Sequence, residues 1–149
     1  AARVLFLQDD IAAKTIPMLT GAIAALKIGD PLAIDTDIGP VIDEPSQDAL
    51  ETHKLRMQDQ ARELIDLRLP PNVRGGTYVS PACYEIDRMS LLDREVFGPI
   101  LHVVRFPRGG LSKVIDSINA SGYGLTLGLH SRIEAVADQV ARQARVGNL

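Results

Sequence analysis

The chain holds 149 residues, 46% hydrophobic and 23% charged, with 16 Lys and Arg against 19 Asp and Glu for a net charge of −3. A chain of that length buries roughly 70% of the surface it exposes when unfolded, so it supports a core without disulfides, and disorder is the wrong expectation. The mild acidity and the 4% of aromatic residues exclude a basic stripe or stacking platform for nucleic acid, and no apolar stretch reaches the ~20 residues of a membrane span.

In chain order, Arg3-Val4-Leu5-Phe6-Leu7 reads as a strand that begins at once. Asp9 or Asp10 then caps a helix with Ile16, Leu19, Ile23 and Leu26 at helical spacing, kinked at Pro17 and closed by Gly29-Asp30-Pro31. A second helix starts from Ser46, with Leu50, His53 and Met57 on one face, and the apolar run at Leu64, Ile65 and Leu67 reads as a strand. Pro70-Pro71 and Gly75-Gly76 mark a loop. Ile100 to Phe106 is a near-continuous apolar strand, Leu111, Val114, Ile115 and Ile118 keep helical spacing, and Leu125 to Leu129 returns as a strand. Ser131 and Glu134 form a capping box ahead of a helix whose apolar face runs through Ile133, Val136, Ala137, Val140, Ala141 and Ala144. Alternating helices and buried strands predict an α/β fold, a mainly parallel sheet with flanking helices. The abrupt strands at both ends, the second at Val146-Gly147-Asn148-Leu149, predict a piece of something larger.

Few residues stand out as chemical. No Gly-x-x-x-x-Gly-Lys-Ser/Thr occurs, and Gly122-Tyr123-Gly124 lacks a third glycine and precedes a predicted strand, so it reads as a turn. His53, His102 and His130 show no metal-ligand spacing, and His102 and His130 fall in predicted strands, as core or sheet-face histidines do. The single cysteine, Cys83, excludes an internal disulfide and fits a reducing compartment. No base, cation or helix start adjoins it to lower its pKa, which predicts a buried, inert thiol. Arg94-Glu95-Val96-Phe97-Gly98-Pro99 is different: a carboxylate and an aromatic ring precede a Gly-Pro corner that feeds a buried strand. Ligands of open α/β sheets collect at strand mouths, where a carboxylate accepts from hydroxyls and a ring lies against a planar group; a solvated Glu and a core Phe are the alternative.

Glu95-Val96-Phe97-Gly98-Pro99 resembles the Glu-x-Phe-Gly-Pro signature of the NAD(P)-dependent aldehyde dehydrogenase superfamily. Gly29-Asp30-Pro31, Gly39-Pro40, Gly76-Thr77-Tyr78-Val79 with Pro81, Ile118-Asn119, Tyr123-Gly124-Leu125 and Val146-Gly147-Asn148 recur in that family's order, so the resemblance covers essentially the whole chain. Gly39-Pro40-Val41-Ile42-Asp43, Leu101-His102-Val103-Val104-Arg105 and the run from Tyr123 to Arg132 are most similar to the pyrroline-5-carboxylate (glutamate semialdehyde) dehydrogenase module of bifunctional bacterial proline-catabolic enzymes.

That resemblance implies that residues 1–149 are the C-terminal-side part of an aldehyde dehydrogenase catalytic domain, with the nucleophile segment and the main NAD-binding domain upstream. It implies NAD as cofactor, with Glu95 holding the nicotinamide ribose hydroxyls and Phe97 packing beside the nicotinamide. In the family a cysteine thiolate attacks the aldehyde, hydride passes to the nicotinamide and water hydrolyses the thioester. The matching cysteine is expected just upstream of Ala1, so no catalytic residue and no metal site is assigned here, and Cys83 does not inherit the role. The parent enzyme is then expected to oxidise glutamate semialdehyde to glutamate in the cytoplasm, as a homo-oligomer, with FAD in a fused proline dehydrogenase domain if it is bifunctional. This stretch would be inactive alone. Its partners would be the remainder of the polypeptide and the aldehyde, with neither nucleic acid nor a membrane span. Another aldehyde or semialdehyde dehydrogenase, and a non-catalytic α/β interaction module, are the alternatives.

Overall fold

A computed structural model describes residues 2–73 and 75–149; Arg74, inside the predicted Pro70 to Gly76 loop, lies outside the described residues. The chain divides into two compact units, residues 1–105 and 106–149.

The first unit carries β1 (Val4–Gln8), α1 (Asp9–Ala24), α2 (Glu44–Gln60), β2 (Arg62–Asp66), β3 (Ala82–Ile86) and all but the last residue of β4, which runs from Ile100 to Phe106. The strands form one sheet in the order β1-β4-β3-β2. β3 and β4 run parallel, with Tyr84 opposite His102, while β2 joins β3 antiparallel. The result is the expected α/β architecture, a mostly parallel sheet with flanking helices.

Side-chain alternation assigns each sheet face to one helix. Ala82, Tyr84, Ile86, Ile100 and Val104 pack with Leu50 and Met57 of α2, and Val4 and Phe6 join them. The intervening residues Cys83 and Val103 pack with Leu7 and Ala12, against which Leu5, Ile16, Leu19 and Ile23 lie. The period of two along the strands therefore sends His102 to the α2 side and Cys83 to the α1 side.

Several local expectations are corrected. Gln8, not Asp9 or Asp10, is the N-cap of α1, and the two aspartates lie in its first turn, where their charge favours the helix dipole. The helix includes Pro17 and ends at Ala24, short of the expected Leu26. α2 begins at Glu44, two residues before Ser46, because the Asp43 carboxylate caps it by accepting from the Ser46 amide at 2.9 Å.

The second unit holds α3 (Leu111–Ala120) and α4 (Glu134–Gln143). Asn119 joins their C-terminal ends: its Nδ2 donates to Gln143 O at 2.9 Å and its Oδ1 accepts from the Arg145 amide at 2.8 Å. Gly122, with φ of 74°, makes the turn after α3, as expected of Gly122-Tyr123-Gly124. Leu125 to Leu129 is not a strand. It makes one isolated parallel bridge, Thr126 to Asn148, and Leu125 is exposed, so the alternating pattern lacks the ladder that would extend it. Val146 to Leu149 shares that bridge and forms no strand either, and His130 is exposed outside any strand. The capping box is absent as well: Ile133 is the N-cap of α4, and the Ser131 hydroxyl accepts from the Ile133 amide instead. Of the expected apolar face only Val140 is buried.

Candidate functional site

The Glu95 to Pro99 segment enters β4 in irregular backbone, bent at Gly98 and Pro99. Val96 turns inward and is buried in the α2-side core, which leaves Glu95 and Phe97 on the outside. Phe97 is 76% exposed, so it is no core residue. A ring of that size left in water is notable beside a half-exposed carboxylate. Pro99 O accepts from the Ala82 amide at 3.1 Å and ties the corner to the start of β3. Gly98 approaches α2 closely, since a Cβ there would lie 2.5 Å from Leu50 Cδ1.

Arg3 brings the corner together, and sequence reasoning gave it no functional part. Its Nη1 donates to Val96 O at 3.0 Å and to Gly98 O at 3.3 Å. Its Nε lies 3.6 Å from Glu95 Oε1, and its guanidinium carbon sits 3.9 Å from the Phe97 ring centroid. Glu95 and Phe97 are thus held against the same guanidinium. The link to Arg3 spans more than 90 residues, and no local spacing signals it.

The other singled-out residues lie apart from this arrangement. Cys83 is wholly buried on the α1 face, where burial and then the Glu85 charge push its thiol up to about 11. A thiol so protected is a poor nucleophile. His102 and His53 do meet, Nε2 to Nε2 at 2.8 Å with rings edge to face. Burial, His102 and Arg56 push His53 down to about 4, and burial also lowers His102. Among the described residues no group of three or more His, Cys, Asp or Glu side chains could hold a metal, and no helix is long and apolar enough to cross a membrane.

A model of the aldehyde dehydrogenase family matches residues 1–149. The bifunctional protein PutA of Salmonella typhimurium is 46% identical over the whole chain, which spans 12% of that protein's length. Betaine aldehyde dehydrogenase 2 of Rhizobium meliloti is 32% identical, over 97% of this chain and 30% of its own length. Among solved structures, Bradyrhizobium japonicum Proline Utilization A superposes with a TM-score of 0.92 at 42% identity, covering 98% of this chain and 15% of the other.

Proposed function

Because the chain belongs to the aldehyde dehydrogenase family, we propose that it forms the nicotinamide-ribose wall of an NAD-dependent enzyme that oxidises glutamate semialdehyde to glutamate in proline catabolism. The observation that carries this reading is the outward pairing of Glu95 with the exposed Phe97 ring under one guanidinium.

These residues fit the cofactor's nicotinamide half by chemistry. A carboxylate accepts hydrogen bonds from two adjacent ribose hydroxyls, each charge-assisted bond contributing about 1.5–3 kcal/mol. An exposed aromatic face offers a flat apolar surface to a planar ring. NAD, when bound, supplies the acceptor for the aldehyde's hydride. Glu95 orients the sugar, Phe97 supports the ring, and Gly98 and Pro99 fix the corner relative to β3 and β4. The nucleophilic thiol belongs to another part of the polypeptide, since Cys83 is buried and its thiol is pushed up to about 11.

The choice of aldehyde rests on similarity: 46% identity to a PutA against 32% to a betaine aldehyde dehydrogenase. Family membership argues against the non-catalytic interaction module. A fused FAD-bearing proline dehydrogenase domain, a homo-oligomeric assembly and a cytoplasmic location belong to the same proposal. They draw on the likeness to proteins called bifunctional, of which this chain spans 12%.

Glu95→Gln in the complete polypeptide tests the cofactor assignment. It keeps the shape, removes the charge and turns one acceptor into a donor, so the nicotinamide loses its fixed position; misplacement by about 1 Å costs ~100-fold in rate. Single-turnover NADH formation from glutamate semialdehyde falls, while hydrolysis of an activated ester, which needs the thiol but no hydride acceptor, survives. Normal NADH formation together with normal NAD affinity would show Glu95 to be a solvated surface residue and sink the assignment.

A further inference from the structure

We infer that Arg3 is the positioning residue of the Glu95 and Phe97 corner, held in place by a directed hydrogen-bond chain through His102 and His53; this rests on reading that corner as the NAD site.

One planar group reaches every part of the corner. The carbonyls that Arg3 Nη1 binds, Val96 O and Gly98 O, flank Phe97 in sequence, so the guanidinium fixes the backbone on both sides of the ring. The same group lies over the ring at 3.9 Å and beside the Glu95 carboxylate. Guanidinium is suited to this because its N–H groups diverge in a rigid plane whose face can stack on an aromatic ring; an ammonium offers neither. Exposed loops have no such restraint by default.

Arg3 is itself held through its backbone. Its carbonyl accepts from the His102 amide at 3.0 Å and contacts His102 Nδ1 at 3.2 Å. A carbonyl only accepts, so Nδ1 carries the proton and His102 Nε2 is an acceptor. Its partner, His53 Nε2 at 2.8 Å, is then the donor, which leaves His53 Nδ1 to accept from Arg56 Nη2 at 3.4 Å. Arg56 is anchored by Asp93, whose Oδ1 lies 3.2 and 3.3 Å from its two Nη atoms. With a carbonyl at one end and a guanidinium at the other, each imidazole has one possible tautomer, and both are neutral. Their lowered basicity agrees: burial comes first for both, joined at His53 by His102, Arg56 and Arg94 against Asp93, and at His102 by Arg56 against the hydrogen bond to the Arg3 carbonyl. The chain starts on α2, crosses β4 and ends at the carbonyl of the residue before β1, so the packing of α2 on the sheet fixes the backbone from which the Arg3 side chain reaches the corner.

The test uses the complete polypeptide carrying Arg3→Gln, Arg3→Lys, Glu95→Gln, and each Arg3 change combined with Glu95→Gln and Phe97→Leu. NAD affinity is measured by calorimetry without aldehyde, and single-turnover hydride transfer and ester hydrolysis are measured separately. Arg3→Gln is expected to weaken NAD binding and slow hydride transfer by about 10- to 100-fold with ester hydrolysis intact, and Arg3→Lys to recover a minor part. In the Glu95→Gln/Phe97→Leu background the Arg3 changes should add little, because they act through those two side chains; a general loss of stability would add in full. Arg3→Lys carries the test if Arg3→Gln does not fold. If Glu95→Gln impairs NAD binding while the Arg3 variants bind and react normally, or if their effects add in full, the positioning role is wrong and the site reading stands. If Glu95→Gln has no effect either, the site reading itself has failed and the inference falls with it.

Discussion

Gly98 and Leu50 stand so close that a methyl group on Gly98 would lie 2.5 Å from Leu50 Cδ1 and 2.7 Å from its Cδ2. Leu50 is buried at the centre of the α2-side core and cannot swing aside freely. Gly98→Ala is therefore expected to destabilise by about 1–3 kcal/mol, the usual cost of overpacking, and to displace the corner that carries Phe97. Leu50→Ala opens space there at its own cost, so the double variant should be more stable than the sum of the two single losses. Melting curves of the four proteins check this, and strict additivity would mean that Leu50 does not oppose the new methyl.

The His53 and His102 pair predicts an acid-sensitive fold. Both imidazoles are neutral when folded, and His53 is held down to about 4 against an ordinary 6.5. Above pH 6.5 neither state takes up protons at these sites and stability is at its full value. Between 6.5 and about 4 the unfolded chain binds more protons than the folded one, so stability falls as pH falls, by on the order of 1–3 kcal/mol; below about 4 His53 contributes no further loss. His53→Asn should flatten that part of the stability profile while carboxylate titration persists. An unchanged slope between pH 6.5 and 4.5 would mean that the pair is protonated in the folded protein.

What the sequence disclosed follows from where each signal is local. β4 was legible because a central strand buried on both faces is a near-continuous apolar run, here interrupted only by His102 and Arg105, and the Leu50, His53 and Met57 face of α2 because helical spacing is local too. β3 was not marked: Ala82–Ile86 is five residues with a cysteine, a tyrosine and a glutamate, and its central place depends on pairing with β4. Leu125 to Leu129 shows the opposite failure, an alternating pattern with a single bridge to complete it. At the site, Glu95 and Phe97 were legible as neighbours in a motif. Arg3 was not, because its partners lie more than 90 residues away, and the two histidines that meet are 49 apart.

Cys83 should prove chemically silent. It is wholly buried with its thiol pushed up to about 11 by burial first and Glu85 second. Cys83→Ser in the complete polypeptide is expected to leave hydride transfer unchanged and to cost about 1 kcal/mol, because a hydroxyl replaces a thiol in an apolar site with no assured partner. The purified 149-residue chain, whose sole cysteine is Cys83, should produce no NADH from glutamate semialdehyde. NADH production abolished by Cys83→Ala would give this cysteine a catalytic role.

Lys54 makes the strongest electrostatic claim on stability. It is buried on α2, with Nζ 2.8 Å from Asp66 Oδ1 on β2 and 2.6 Å from the Ser80 hydroxyl, which itself donates to Asp66 at 3.1 Å. Removing one member of such a pair costs about 3–5 kcal/mol when the other charge is stranded, whereas replacing both by apolar groups can be nearly neutral. Asp66 keeps 19% of its side chain in solvent and retains Ser80, so Lys54→Met should fall near the lower end of that range. Lys54→Met/Asp66→Leu should recover much of the loss. Amide hydrogen exchange along β2 and β3 reads the effect locally, since this triad joins α2 to the edge of the sheet where opening begins. Faster exchange in the single variant than in the double one is the expected order; the reverse order would mean that Asp66 is stabilised by solvent and Ser80 alone, and that Lys54 acts only through its aliphatic stem.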